Sequence, residues 1–325
     1  MQWSSANSKY MDGMLFVPVN FPFNKPDGIL IENLDLPQLI EYIQNKKIVK
    51  AFIQGISDFD FLVNCHTLAY IAIELKLPFD EYSKMPMRGR KIYKKYNLDY
   101  LYDFPRLKSL KIINNEDPVI KAELYLDMTK LTELQQYSGN YAFVHNLDQA
   151  FSLKSLILDQ YLKSDFVDLR ELKLLDTIKL TFSKLHSLQG CEAFSKLQCL
   201  YLHYNRVLTD ITALRGVKNT LKALRIENCP KIQDFSVLGE LENLELLELS
   251  GSNTLPNLNF LKSMKNLKTF VFNMNVLDGD LSPCLNLSYV YSEKNRKHYN
   301  LKDAELPKGE YIRGNENIEE WRRLE

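Results

Sequence analysis

The sequence predicts an α/β solenoid, with short parallel strands lining the concave face of a curved sheet and short helical turns and loops returning the chain on the convex face. Three observations carry that expectation. The spacing L-x-x-L-x-L recurs at a nearly fixed period. Between its copies a second pattern recurs, Asp or Asn before an apolar residue and then Ser, Thr or Asn. Asparagine or cysteine also returns at one place after several strands. Self-similarity at such a period marks stacked units, each burying its apolar face against its neighbours.

The first pattern reads Leu107-Leu110-Ile112, a degraded Leu131-Leu134-Gln136, then Leu153-Leu156-Leu158, Leu175-Ile178-Leu180 and Leu197-Leu200-Leu202. It continues as Leu221-Leu224-Ile226, Leu244-Leu247-Leu249, Leu267-Phe270-Phe272 and Leu287-Val290-Ser292. First positions step by 24, 22, 22, 22, 24, 23, 23 and 20 residues. Fainter copies at Ile48-Ala51-Ile53 and Leu68-Ile71-Ile73 bring the expectation to ten or eleven strands.

Residues 1–47 do not fit the period. They hold Pro18, Pro22, Pro26 and Pro37 and a helix candidate, "LPQLIEYIQNKKIV", and are expected to form an N-terminal cap. Repeats are expected over 48–298, with an irregular insertion at about 76–106. The remainder, 299–325, ends in the amphipathic "NENIEEWRRLE" and is expected to be a C-terminal cap or tail.

Within each copy, positions one, four and six face the interior, and positions three and five face the other way. Position nine must satisfy turn backbone groups; it is Asn115, Asn205, Cys229, Asn275 or Asn295. Asparagine donates and accepts, and a thiol donates weakly, so Cys229 is expected to replace the asparagine. In the return half, Asp210, Asp234, Asn257 and Asp280 are placed to accept the free amides of a helical turn. Asp35, Asp58, Asn146 and Asp165 repeat that grammar upstream.

On these motifs the chain resembles the leucine-rich repeat family, in its bacterial and phosphatase-regulator-like class, with the internalin-like cadence "L-x-D-I-T-x-L…L-x-x-L-x-L-x-x-N". The likeness is strong from Leu107 to Asn295 and extends back toward Ile29. It implies a leucine-rich repeat solenoid that grips a folded protein. A toxin-neutralising immunity protein, a phosphatase-regulator-like subunit and a secreted or surface adhesin or effector are the roles it offers. A GTPase-regulating role would rest on Arg225 alone, and the effector ligases of the family carry a catalytic domain after their repeats.

Composition narrows the function. Lys plus Arg and Asp plus Glu are each 41, giving zero formal charge, so the basic excess of a nucleic-acid binder is missing. The first residues hold no apolar run of signal-peptide length, and no stretch approaches the span of a membrane helix. Five cysteines without C-x-x-C pairing suit reduced thiols. The expectation is therefore a cytoplasmic protein, monomeric by itself, or a secreted one if a leader precedes Met1. No catalytic, phosphate-binding or metal motif occurs, so no enzyme, cofactor or metal is expected. The pairs Asp58/Asp60 and Asp278/Asp280 are better explained as turn caps than as ligands.

The binding surface follows from the alternation. Positions three, five, seven and eight supply Tyr137, Asp159, Lys179, Phe182, Tyr201, His203, Tyr204, Arg225, Glu227, Glu248, Asn273, Tyr289 and Tyr291. Tyrosine and arginine combine contact area with polar reach, so Tyr201, Tyr204 and Arg225 are expected at the centre of a partner site, with Phe182 and Glu227 at its margin. The rival location is the insertion, where Arg88, Arg90, Lys91, Lys94 and Lys95 alternate with tyrosines.

Overall fold

The structure is a computed structural model that describes residues 8–19, 27–32, 36–75, 92–114 and 120–312. The chain forms two compact units that divide between Leu153 and Lys154.

The first unit carries β1 (Lys9–Met11), β2 (Met14–Val17), β3 (Gly28–Ile31), helix α1 (Leu36–Lys46), β4 (Lys50–Ile53) and β5 (Tyr70–Glu74). After these come β6 (Ile92–Tyr96), β7 (Ser109–Ile113), β8 (Ile120–Leu124), β9 (Leu126–Asp127), β10 (Gln136–Asn140) and β11 (Val144–His145). Its main sheet runs β1-β2-β3-β4-β5-β7-β10. The pairs β1–β2 and β2–β3 are antiparallel; from β3 onward every pair is parallel.

The parallel register reaches back to Ile29, which pairs with Ala51 as Ala51 does with Ile71 and as any two successive repeats do. Helix α1 hides this copy in the sequence, standing where other units have a short turn. It forms as expected, with Pro37 in the first turn, where no intrahelical partner for its N–H is needed, and Leu39 and Ile43 buried one turn apart. Lys47, at φ 51°, ends it, and the Ile48 N–H returns to the Ile43 carbonyl.

The second unit carries β12 (Ser155–Asp159), β13 (Thr177–Thr181), β14 (Cys199–His203), β15 (Ala223–Glu227), β16 (Leu246–Ser250), β17 (Thr254–Leu255), β18 (Thr269–Phe272), β19 (Asn275–Val276) and β20 (Tyr289–Ser292). Its main sheet, β12-β13-β14-β15-β16-β18-β20, is parallel throughout. Position four stays aligned across it, from Leu156 through Ile178, Leu200, Leu224, Leu247 and Phe270 to Val290, and all are fully buried. Each such side chain contributes roughly 1.5–3 kcal/mol by leaving water. Both units are leucine-rich repeat arrays. Among the described residues the main sheets hold five parallel strands in the first unit and seven in the second, twelve rather than ten or eleven, because β3 is one of them.

The turns work as their sequences require. Asp210, Asp234, Asn257 and Asp280 each accept the backbone N–H two residues on, at 2.8, 2.8, 2.9 and 2.9 Å. Asp165 and Asp58 do the same at 3.0 and 3.2 Å. These bonds favour the ionised form and hold the Asp210, Asp234 and Asp280 carboxyls below the usual aspartate range. Asn146 departs from the pattern. It donates to Asp127 at 3.0 Å, and Asp127 is the residue that accepts the turn amide, from Thr129. Asp35 and Asn115 lie outside the described residues.

Cys229 takes the asparagine's place atom for atom. Asn205 donates from Nδ2 to the Leu180 carbonyl of the preceding repeat at 3.3 Å. The Cys229 thiol donates to the equivalent Leu202 carbonyl at 3.6 Å. Burial pushes this thiol up to about 12. Asn253, one residue out of phase and missed for that reason, extends the ladder to the Cys229 and Ile232 carbonyls at 3.1 and 2.7 Å.

One register was misplaced. Gln136, Tyr137 and Ser138 pair with Ser109, Leu110 and Lys111, so the weak copy begins at Leu134 and not at Leu131. Tyr137 thus stands at position four and points into the interior, with Gly139 leaving room for its ring: a Cβ there would meet the hydroxyl at 2.6 Å. Tyr137 is a core residue and leaves the list of surface candidates.

Candidate protein-interaction face

In the second unit, position five forms a continuous row: Ile157, Lys179, Tyr201, Arg225, Glu248, Val271 and Tyr291, each paired with the next. Position seven adds Asp159, Thr181, His203 and Glu227 beside it. Strand alternation turns both rows away from the leucine interior. The predicted residues Lys179, Tyr201, His203, Arg225, Glu227 and Glu248 therefore share one face of one sheet.

The face is less open than expected. Lys179, Tyr201 and Arg225 are 2%, 1% and 0% exposed. The Arg225 guanidinium lies 4.7 Å from the Tyr201 ring centroid, and its Nε is 3.3 Å from a Glu248 carboxylate oxygen. This arrangement holds the arginine in the sheet face rather than presenting it to a phosphate. His203 approaches Glu227 at 3.5 Å, yet this is not an ion pair. Desolvation, with the positive charges of Lys179 and Arg225 adding to it, drives the imidazole down to about 3, so it is neutral.

Position eight is different. Gln160, Phe182, Tyr204 and Asn228 all have φ between 52° and 57°, and Gly251 has φ 142°. The tight turn after each strand imposes a positive φ, which glycine and asparagine tolerate and bulky side chains rarely adopt. Phe182 and Tyr204 adopt it nonetheless. Their rings stack at 5.0 Å between centroids with 29° between planes, and Phe182 is 52% exposed. Asp159 and Tyr291 are exposed, and Tyr204, Glu227, Glu248, Asn273 and Tyr289 are half-buried. Asn273 is occupied within the fold, accepting the Gly251 N–H at 2.7 Å and donating to Glu293.

A segment outside the repeat pattern also reaches this face. Tyr311 packs against Cys199, Tyr201, Ala223 and Leu246, and its ring meets Tyr289 edge-on at 5.2 Å. The Ile312 N–H donates to Thr269 Oγ1 at 2.9 Å, and Lys308 lies over the Tyr289 and Tyr291 rings. Sequence reading missed these residues because nothing in the repeat period marks them; only Pro307 and Gly309 signal a turn.

Among the insertion candidates, Lys94 is half-buried and Lys95 exposed on β6, which pairs in parallel with β8 of the following repeat. Exposed Tyr93 receives Lys121 over its ring at 5.5 Å. Arg88, Arg90 and Lys91 lie outside the described residues. All five cysteines are free and buried. No group of three or more His, Cys, Asp or Glu that could hold a metal ion occurs among the described residues. Asp58 and Asp280 accept turn amides, as does Asp278, from Asp280 at 3.1 Å.

The chain matches no protein-family model and no curated protein. Among solved structures it is similar to an internalin of Listeria monocytogenes, at 17% identity and TM-score 0.48, over 84% of this chain and 94% of that one. An internalin C2 of the same species matches 59% of this chain and 76% of its own at 17% identity and TM-score 0.39. A leucine-rich repeat protein of Leptospira interrogans matches 82% of each chain at 15% identity and TM-score 0.39.

Proposed function

We propose that this protein is a non-enzymatic binding module that recognises a folded protein partner through the outward sheet face of its second unit. The observation that carries this reading is the Phe182–Tyr204 pair, two large aromatic rings held in left-handed backbone at the rim of that face. Backbone strain of this kind costs on the order of 1–3 kcal/mol per residue and gathers where a site needs it. The same turn accepts Asn228 and Gly251 without that cost, so the turn itself does not call for an aromatic residue. A stacked aromatic pair, with Phe182 exposed and Tyr204 half-buried, beside a row of lysine, tyrosine, arginine and glutamate combines the apolar anchor and polar surround of a protein-binding hot spot.

Lys179, Tyr201 and Arg225 act in this reading as the support that fixes the rim, and Phe182, Tyr204, Asp159 and Glu227 supply accessible contact. Affinity capture from the native cell tests it. The wild-type chain should retain a protein that the Phe182→Ala/Tyr204→Ala variant does not. Equal retention by a folded variant would place the partner elsewhere.

A further inference from the structure

Phe182 and Tyr204 do not stand alone at the rim. Two residues after each comes a cation, Lys184 after Phe182 and Arg206 after Tyr204, and the next repeat carries Lys231 just past β15. All three residues are exposed. Their turns are fixed: the Lys184 N–H donates to the Tyr161 carbonyl at 2.7 Å, and the Arg206 N–H to the Tyr204 carbonyl at 3.0 Å. Two residues of chain span at most about 7 Å, and neighbouring strands lie roughly 4.8 Å apart, so rings and cations share one stretch of the rim.

Charge on this stretch is not matched as it is one repeat earlier. There Lys163, placed after β12 as Lys231 is after β15, pairs with Asp168 at 2.9 Å. Lys184, Arg206 and Lys231 make no ion pair among the described residues. The carboxylates that follow them, Glu192, Asp210 and Asp234, accept instead from the turn amides of Gly190, Thr212 and Ser236, each at 2.8 Å. On the sheet side of the rings, Asp159 and Glu227 hold position seven of the two flanking strands, and neither is without a partner in the chain. The unmatched charge beside the rings is therefore positive.

We propose that this basic margin receives an acidic segment of the protein partner, whose carboxylates pair with Lys184, Arg206 and Lys231 while an apolar side chain of the same segment rests on Phe182 and Tyr204. The assignment rests on the rim being a binding surface and adds the sign of the charge its partner presents. Arg206 is the most directional of the three, because a guanidinium holds a carboxylate through two parallel bonds. Single-stranded nucleic acid would also meet cations and stackable rings there, but the zero formal charge of the chain favours a protein.

The probes are three fluorescein-labelled ligands: a peptide of four glutamates around a central tryptophan, its counterpart with four glutamines, and pentathymidylate, which carries the same charge as the first. Fluorescence anisotropy at low salt should show the glutamate peptide bound at least about ten-fold more tightly than the glutamine peptide, and the difference should shrink as salt rises. Lys184→Gln/Arg206→Gln should remove the preference at an unchanged melting temperature. Lys196→Gln/Lys218→Gln, the same charge change among exposed residues ahead of β14 and β15, should keep it. Equal binding of the two peptides would overturn the proposal, as would a preference that survives the first variant or falls equally in the second. Tighter binding of pentathymidylate than of the glutamate peptide would overturn it in favour of nucleic acid. Capture of the native partner separates this inference from the rim reading. If Phe182→Ala/Tyr204→Ala abolishes capture and Lys184→Gln/Arg206→Gln does not, only the acidic segment fails. If the glutamate peptide binds through Lys184 and Arg206 while Phe182→Ala/Tyr204→Ala captures normally, only the aromatic rim fails.

Discussion

The two units place different chemistry at the same strand position. In the first, position five reads Leu30, Phe52, Ala72, Lys111 and Ser138; in the second it reads Ile157, Lys179, Tyr201, Arg225, Glu248, Val271 and Tyr291. The apolar start of the first row forms a second small core, in which Val17 and Val19 close over Leu30, Phe52 and Ala72. Gly28 makes this possible, since a Cβ there would meet Val19 at 2.2 Å. Asp27 fixes the closure by accepting from the Val19 N–H at 2.7 Å and pairing with Lys50 at 2.7 Å. Position five is therefore not inherently a binding position. The first unit begins that row with apolar residues closed under its own chain, and the second fills its middle with buried polar and aromatic side chains, Lys179, Tyr201 and Arg225.

Substitutions at four positions, one of them read through an acid titration, test this contrast. The largest effect is expected at Phe52→Ala, which should cost about 3–5 kcal/mol as a core truncation, whereas Tyr204→Ala should cost no more than about 1 kcal/mol. Chemical denaturation of both variants checks this, and equal costs would erase the difference between the two faces.

Acid should weaken the second face through His203. Its ordinary value of 6.5 falls to about 3 in the fold, so between these values the unfolded chain binds a proton that the folded chain refuses. Stability from this group is complete above pH 6.5 and is lost as pH falls toward 3. The slope is at most about 1.4 kcal/mol per pH unit. His203→Gln should flatten the unfolding free energy over that window; an unchanged pH profile would mean the imidazole is solvated.

The smallest effect separates frame from face. Cys229→Asn should be close to neutral, because asparagine makes the same bond one repeat earlier, while Cys229→Leu should cost about 1–3 kcal/mol by leaving the Leu202 carbonyl unpaired. Thermal melting distinguishes them, and the leucine variant melting with wild type would remove the thiol from the turn ladder.

The frame was legible because it is periodic. Leucines every 20 to 24 residues, aspartates two residues before a turn amide and a cysteine at the asparagine position each state a local requirement that recurs until it is unmistakable. Errors fell where the period weakens. At Tyr137 the leucines at 131 and 134 fit two registers, and the sequence does not show that Gly139 makes room for a ring. Strand β3 was hidden by an unusually long helix. The face was legible in direction and not in exposure. Alternation turns Tyr201 and Arg225 outward, but the cluster that holds Tyr201 is packed by Tyr311, more than 100 residues further along the chain and outside the repeats. The strain at Phe182 and Tyr204 was invisible for a related reason: a positive φ shows in sequence only where glycine or asparagine marks it.

The central claim is that the aromatic rim of the second unit recognises a protein. Calorimetric titration of the captured partner against wild type, Phe182→Ala/Tyr204→Ala and Lys94→Ala/Lys95→Ala tests it most directly, with a melting temperature recorded for each. The rim variant should bind at least roughly 30-fold more weakly, the about 2 kcal/mol of a hot spot, at a melting temperature close to wild type, and the lysine variant should bind as wild type does. Undiminished affinity in a folded rim variant, with affinity lost in the lysine variant, would contradict the claim and move recognition to the β6–β8 ribbon.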